Sequence, residues 1–166
     1  DYLILAMGCQ TNYFNIPNLK KYSLPLKTID DALKIKEAIR TKINKKGLCI
    51  VVGGGGLTGV EVSSELLDWG KKIFHKKLNI HLIEASDVLA KELGEKTSDF
   101  TEYYLQKQGI KIHLSNPVVS IDKNFVYLKD GSKIKYYVFI WAGGIRAQSV
   151  LSDSGLRAND KGCLAV

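Results

Sequence analysis

An apolar run, Leu48-Cys49-Ile50-Val51-Val52, passes without a break into Gly53-Gly54-Gly55-Gly56-Leu57-Thr58-Gly59. No other stretch of the chain restricts the fold so sharply. A short β-branched run of this kind suits a parallel strand covered on both faces. The glycines that follow suit a tight turn from that strand into a helix. Gly54, Gly56 and Gly59 stand in G-x-G-x-x-G spacing. In that arrangement the first glycine makes the turn and the second leaves the backbone open to a closely approaching group. The third lets the helix lie against the sheet. Four consecutive glycines make a chance match easier, so the reading depends on what surrounds the loop.

The surroundings agree with it. Thr28 and Asp31 form a capping signature, and Ala32, Ile35, Ile39 and Ile43 recur at helical spacing, which predicts a helix over 28–44. A second helix is predicted from 58 to 76 and a strand over 79–84. Leu93, Thr97, Phe100 and Tyr104 mark the inward face of a third helix, closed by Gly109. A short strand over 111–114 follows. Residues 118–122, 125–128 and 132–134 read as an antiparallel meander, with Asp130-Gly131 at a hairpin turn. Residues 137–141 form a last buried strand that runs into Ala142-Gly143-Gly144, and Tyr2–Met7 reads as an opening strand. Strands alternating with helices place the chain in the α/β class. The expected architecture is a Rossmann-like parallel sheet with helices on both faces and a small antiparallel β-meander as crossover.

At 166 residues, 45% hydrophobic, the chain can bury a core of its own. Cys9, Cys49 and Cys163 have no CxxC or paired spacing, and three scattered histidines offer no zinc set. Neither a disulfide framework nor a metal site is expected, and a reducing, cytoplasmic compartment is. No apolar run approaches the ~20 residues that cross a bilayer. The net charge of +7 comes from 24 basic and 17 acidic residues. Apart from Arg40, Arg146 and Arg157 the basic residues are lysines spread along the chain, so nucleic acid is not an expected partner.

The loop suits a diphosphate. Amides from Gly54, Gly55, Gly56, Leu57, Thr58 and Gly59 gather at a helix start, where the helix dipole favours anions. Glu84 ends the next strand, 25 positions beyond Gly59. A carboxylate there accepts hydrogen bonds from ribose hydroxyls and repels the extra phosphate of NADP, so NAD(H) is expected. Standing alone, Glu84 would read as a solvated strand-end acid. Glu61, placed in the first turn of the helix, has two open readings: an acid stabilised by the dipole, and a polar anchor for the nicotinamide end. Tyr103 and Lys107 match the YxxxK acid–base spacing, but a chain this rich in Lys and Tyr produces that spacing by chance, and they read as helix surface. No catalytic acid or base is expected in these residues.

Three stretches resemble type II NADH dehydrogenases (NADH:quinone oxidoreductases) of the FAD-dependent pyridine nucleotide-disulfide oxidoreductase family. Asp1–Gly8 with Thr11-Asn12-Tyr13-Phe14-Asn15-Ile16-Pro17 resembles that family's FAD-domain strand and "TNxFxIPG" loop, and Pro25–Leu33 its "LKTLEDAL" helix. The glycine loop through Glu61 resembles "GGGPTGVE", and Trp141–Ile145 resembles "xTAGV". Departures are Cys9 where Ser is common, Leu57 for Pro, and Gly144 for an aliphatic residue. The resemblance implies that Glu61 faces the nicotinamide, Val118 lines the adenine and Gly143 approaches the NAD. It also implies an FAD domain in the same polypeptide, a quinone acceptor reached through a region outside these residues, and peripheral association with the inner face of the cell membrane.

On this reading residues 1–27 are a flank resembling the FAD-domain strand and loop, 28–142 the NAD(H)-binding domain and 143–166 a return flank. The chain is then an excised piece of a longer polypeptide that binds NADH without turning it over. A stand-alone NAD-binding or sensing module is the alternative from another class. Within the family, thioredoxin reductases need a CxxC that is absent here; a fragment of another family flavoprotein such as a sulfide:quinone reductase stays as a second alternative, although those enzymes need paired redox cysteines.

Overall fold

The computed structural model describes residues 4–153, 155, 158, 159, 162 and 163. In chain order the elements are β1 (Cys9–Thr11), α1 (Leu19–Tyr22), β2 (Leu24–Pro25), α2 (Ile29–Arg40), β3 (Cys49–Gly53), α3 (Leu57–Phe74), β4 (Asn79–Ile83) and a 3-10 turn (Lys91–Leu93). They continue with α4 (Glu95–Gln108), β5 (Lys111–His113), β6 (Val118–Ile121), β7 (Phe125–Leu128), β8 (Lys133–Lys135), β9 (Val138–Trp141), β10 (Ile145–Ala147) and α5 (Ser149–Asp153). They fall into two compact units, Asn15–Gly143 and the combination of Asp1–Phe14 with Gly144–Val166. The expected 1–27 flank is therefore divided. Residues 15–27 go with the larger unit because Leu24 and Pro25 pair with Ile140 and Trp141 of its sheet.

In the larger unit five parallel strands lie in the order β2-β9-β3-β4-β5. Every residue of β3 and β9 is buried, as a parallel strand covered on both faces requires. β6, β7 and β8 form the separate antiparallel meander, with the Asp130-Gly131 turn closed by the Gly131 N–H on Leu128 O at 3.0 Å. Gly131 has φ +84°, the left-handed conformation a tight hairpin demands.

The α/β class, the parallel sheet and the meander are as expected; the distribution of the helices is not. Ile35 and Ile39 of α2, Leu66 and Leu67 of α3 and Leu105 of α4 all join one core with Ile50, Val52, Ile80, Leu82, Val138 and Ile140. Those strand residues share one face by the two-residue alternation of a strand. The opposite face carries Cys49, Val51, His81 and Phe139. There Phe139 meets Tyr136 at 5.9 Å, and Ile134 of β8 lines a cleft with Cys49 and His81. The meander takes the place expected for a second helical layer. A strand apolar on both sides records only that each face is covered, and a helix or a sheet does that equally well.

Two further expectations are corrected. The 93/97/100/104 face of α4 points outward: Leu93, Phe100 and Tyr104 are all exposed, Phe100 to 65%. The buried positions of the helix are Ser98 and Leu105, and Leu93 precedes the helix, in the 3-10 turn. α4 lies beside β5 at the sheet edge, where one leucine suffices to seal the contact. The expected strand at Tyr2–Met7 is absent over 4–7, where Ile4 is 88% exposed. Pairing in the smaller unit begins at Cys9, opposite Ala147 on β10, and a strand exists only where a ladder partner does.

The α2 capping box is formed. Thr28 Oγ1 accepts from the Asp31 N–H at 3.2 Å, and Asp31 Oδ2 accepts from the Thr28 N–H at 3.0 Å. The helix ends at Arg40 rather than Asn44, where the Thr41 hydroxyl turns back onto Glu37 O at 3.0 Å. Thr28→Ala is expected to cost about 1 kcal/mol in urea unfolding, with an unchanged m-value.

His81 and His113, on neighbouring strands, bring Nδ1 and Nε2 to 3.0 Å with their rings stacked. That contact needs one donor and one acceptor, so the pair excludes a second proton. Burial, helped by Lys111 and His113, pushes the His81 pKa down from 6.5 to about 4. The unfolded chain binds the extra proton first, so stability present above pH 6.5 is lost as pH falls toward 4. Hydrogen bonds from Tyr127 and Ser132 hold Asp122 and Asp130 below the ordinary carboxylate range, so their loss comes at lower pH. Urea unfolding at stepped pH is expected to show the decline, and His81→Asn to flatten it.

Candidate functional site

The site lies at the carboxyl ends of β3, β4 and β9. Gly54 leaves β3 with φ +106°, and its N–H donates to Ile83 O at 2.8 Å. A β-carbon on Gly54 would lie 2.5–2.6 Å from Gly143 Cα and N and Ala142 O, so only glycine fits. Gly56 caps α3 in an extended conformation, and a β-carbon there would meet nothing nearer than Glu92 Oε1 at 3.7 Å. Gly59, buried in the first turn of the helix, rests on the Gly54 carbonyl oxygen, which leaves no room for a methyl. Ser63 lies beneath, its hydroxyl donating to Gly59 O at 2.7 Å. The turn, the open middle glycine and the close helix contact are thus all present.

Glu84 follows β4 and points into the loop. Its Oε2 accepts from the Gly55 N–H at 2.6 Å and its Oε1 from the Ser86 N–H at 2.7 Å. Its backbone is pinned on both sides, with the N–H on His113 O at 2.9 Å and the carbonyl accepting from Asn116 N–H at 3.2 Å. Each carboxylate oxygen has two lone pairs, so Oε2 keeps one for a further hydroxyl donor. Gly55, Gly56, Glu84 and Ser86 line one cleft of about 130 Å³, the volume of about four waters and enough for a sugar ring.

The other residues singled out from the sequence divide. Leu57 and Thr58 are exposed in the first turn of α3, where N–H groups have no intrahelical acceptor. Gly143 is brought against Gly54. Glu61 is exposed but stands in the second turn, because the helix begins at Leu57; the first turn contains no acid. Val118 is 6% exposed at the start of β6, opposite Leu128, and is not among the cleft residues. Tyr103 and Lys107 form a surface pair, the ammonium 5.8 Å from the ring centroid.

Lys91 and Glu92 also line the cleft, and sequence reasoning missed both. Glu92 Oε1 accepts from the Leu57 N–H at 3.4 Å. The expectation of open amides is therefore corrected at two places, Gly55 and Leu57, where the chain's own carboxylates are the acceptors. The available signal was topological: these residues follow β4 on the side of a parallel sheet where ligands gather.

Among the described residues no group of His, Cys, Asp and Glu is arranged to hold a metal. Cys9, Cys49 and Cys163 are free thiols, and burial pushes Cys49 up to about 11, leaving it unreactive at neutral pH. No helix among the described residues is long and apolar enough to cross a membrane.

Comparison with known proteins follows the same lines. The family model described as pyridine nucleotide-disulphide oxidoreductase matches residues 1–166. The chain belongs to that family. A mitochondrial external alternative NAD(P)H-ubiquinone oxidoreductase B3 of Arabidopsis thaliana is 31% identical, over 92% of this chain and 30% of that protein. A type II NADH:quinone oxidoreductase of Staphylococcus haemolyticus is 24% identical, over 93% of this chain and 43% of that one. The structure of NDH2 from Plasmodium falciparum in complex with NADH superimposes with a TM-score of 0.77 at 27% identity, covering 87% of this chain and 34% of that one. The resemblance read from the glycine loop and the flanks is borne out. The chain spans less than half the length of the curated relatives named here.

The Gly59 contact is the most demanding in this family member's loop. Gly59→Ala is expected to lower stability by about 2 kcal/mol or more, because the methyl and the Gly54 carbonyl cannot share the space. Thermal and urea unfolding read the loss directly.

Proposed function

We propose that residues 15–143 form an NAD(H)-binding domain of an FAD-dependent NADH dehydrogenase that passes electrons to quinone, with residues 1–14 and 144–166 belonging to its FAD-domain side. The observation that carries this reading is the Glu84 carboxylate bonded to the Gly55 N–H at 2.6 Å, an acid held at the glycine loop and lining the same cleft. The relatives' names, NAD(P)H-ubiquinone and NADH:quinone oxidoreductase, support the reaction class.

The residues present suit the group. Gly54, Gly55 and Gly59 have no space for side chains, and Gly56 leaves the backbone open on its outer side. The amides of Leu57, Thr58 and Gly59 start a helix of 18 residues, whose dipole favours an anion. Glu84 offers its remaining lone pair to ribose hydroxyls and repels a 2′-phosphate. Gly143, against Gly54, keeps the approach from β9 free of side chains, and Glu61 faces outward beyond the first turn. NADH held here would supply a hydride, and an FAD held on the FAD-domain side would accept it. This chain positions and selects, and none of its residues is needed as an acid or base. Peripheral membrane association and the quinone site belong to the full-length protein.

Fluorescence titration of the 166-residue chain is expected to show NADH binding and a clear preference over NADPH. Glu84→Gln weakens NADH by about tenfold and narrows that preference, since a charge-assisted acceptor is lost. With quinone but no added flavin, the chain leaves NADH unoxidised. Turnover under those conditions, or tighter binding of NADPH than NADH, overturns the assignment.

A further inference from the structure

The geometry points to Glu92 as the residue that sets how tightly this cleft holds a diphosphate, by competing for the amide at the start of α3. The inference rests on the nucleotide reading above and adds to it a residue outside the glycine motif. Glu92 Oε1 accepts from the Leu57 N–H at 3.4 Å and is the atom nearest to where a Gly56 side chain would project, at 3.7 Å. It occupies the side on which the loop is otherwise open.

The fold delivers Glu92 there. Ala90 N–H donates to Gly55 O at 2.8 Å, fastening the start of the 3-10 turn to the loop. Leu89 is fully buried against Gly55, where a β-carbon would lie 2.6 Å from Leu89 Cδ2. Ala90 itself has φ +44°, a left-handed conformation that is strained for a non-glycine residue. A segment held in that conformation carries Glu92 over the helix start.

Leu57 makes the contact available. In the "GGGPTGVE" pattern that this loop resembles, the same position is proline, which has no N–H to donate. Here the leucine supplies a first-turn donor, and Glu92 takes it. A diphosphate brings its charge to the same amides, so it must displace Glu92 and bind within reach of a second carboxylate, Glu84. Displacement is feasible. The 3.4 Å separation exceeds the about 2.7–2.9 Å of a strong charge-assisted bond, and Glu92 is exposed. Lys91 lines the same cleft and offers a counter-charge once Glu92 has moved.

Fluorescence titration with NADH, and competition of bound NADH by ADP-ribose and by adenosine, test the inference on the 166-residue chain. Glu92→Gln is expected to tighten NADH and ADP-ribose by about tenfold, the scale of one hydrogen bond to a charged group. Adenosine, which has no phosphate, is expected to compete equally with either protein. Glu95→Gln removes the same charge from the first turn of α4 and is the control; it is expected to leave all three ligands unchanged. An unchanged NADH dissociation constant in Glu92→Gln, an equal gain from Glu95→Gln, or an equal gain for adenosine overturns the role of Glu92 while the nucleotide site stands. Absence of NADH binding in all three proteins overturns the nucleotide reading itself, and this inference with it.

Discussion

The contact between Gly59 and the Gly54 carbonyl oxygen decides where α3 begins. With no methyl on Gly59, the first turn of the helix settles on the backbone that has just left β3. Gly54 in turn lies against Gly143, so the backbones that leave β3 and β9 meet α3 where no β-carbon fits. This close packing aims the unpaired first-turn amides at the carboxyl end of β4. A side chain at either position would push the helix outward and carry those amides away from Glu84. The Ser63 hydroxyl on Gly59 O completes the arrangement from within the helix.

The amides so gathered form a positive field, and the chain answers it with its own acids. Glu84 takes the Gly55 N–H and Glu92 the Leu57 N–H. A chain with net charge +7 thus places two carboxylates in the cleft beside its glycine loop, where lysines would be expected from charge alone. The two acids are held differently. Glu84 is gripped at 2.6 and 2.7 Å with its backbone tied to β5 and to Asn116. Glu92 reaches over from an exposed turn through a single long contact. The first behaves as a fixed part of the loop, the second as an occupant that can leave.

Reading the sequence recovered most where neighbouring residues set the geometry. The strand before the glycines, the helix after them, the Thr28 capping box and the Asp130-Gly131 hairpin all depend on contacts within a few positions. Position in space was harder. Phe100 and Tyr104 form an apolar stripe, yet they face solvent while Ser98 and Leu105 are buried, because the sheet edge offers α4 only a narrow seat. Glu61 stands in the second turn rather than the first, because the helix starts at Leu57, one residue earlier than expected. Lys91 and Glu92 carried no motif and were found only when the turn after β4 was seen folded over the loop. Val118 stands in the meander as the strand pattern predicts, buried opposite Leu128 and outside the cleft beside the glycine loop.

What the residues alone determined is a strand–glycine–helix junction with an acid at the end of the next strand. Backbone torsions, steric room at glycine and hydrogen-bonding capacity are local properties, written into the chain itself. Which layer covers each face of the sheet, which stripe of α4 turns inward, and which carboxylate sits on which amide were decided by the tertiary structure. Those outcomes depend on segments far apart in sequence competing for the same apolar surface and the same unpaired N–H groups, and only the assembled fold resolves that competition.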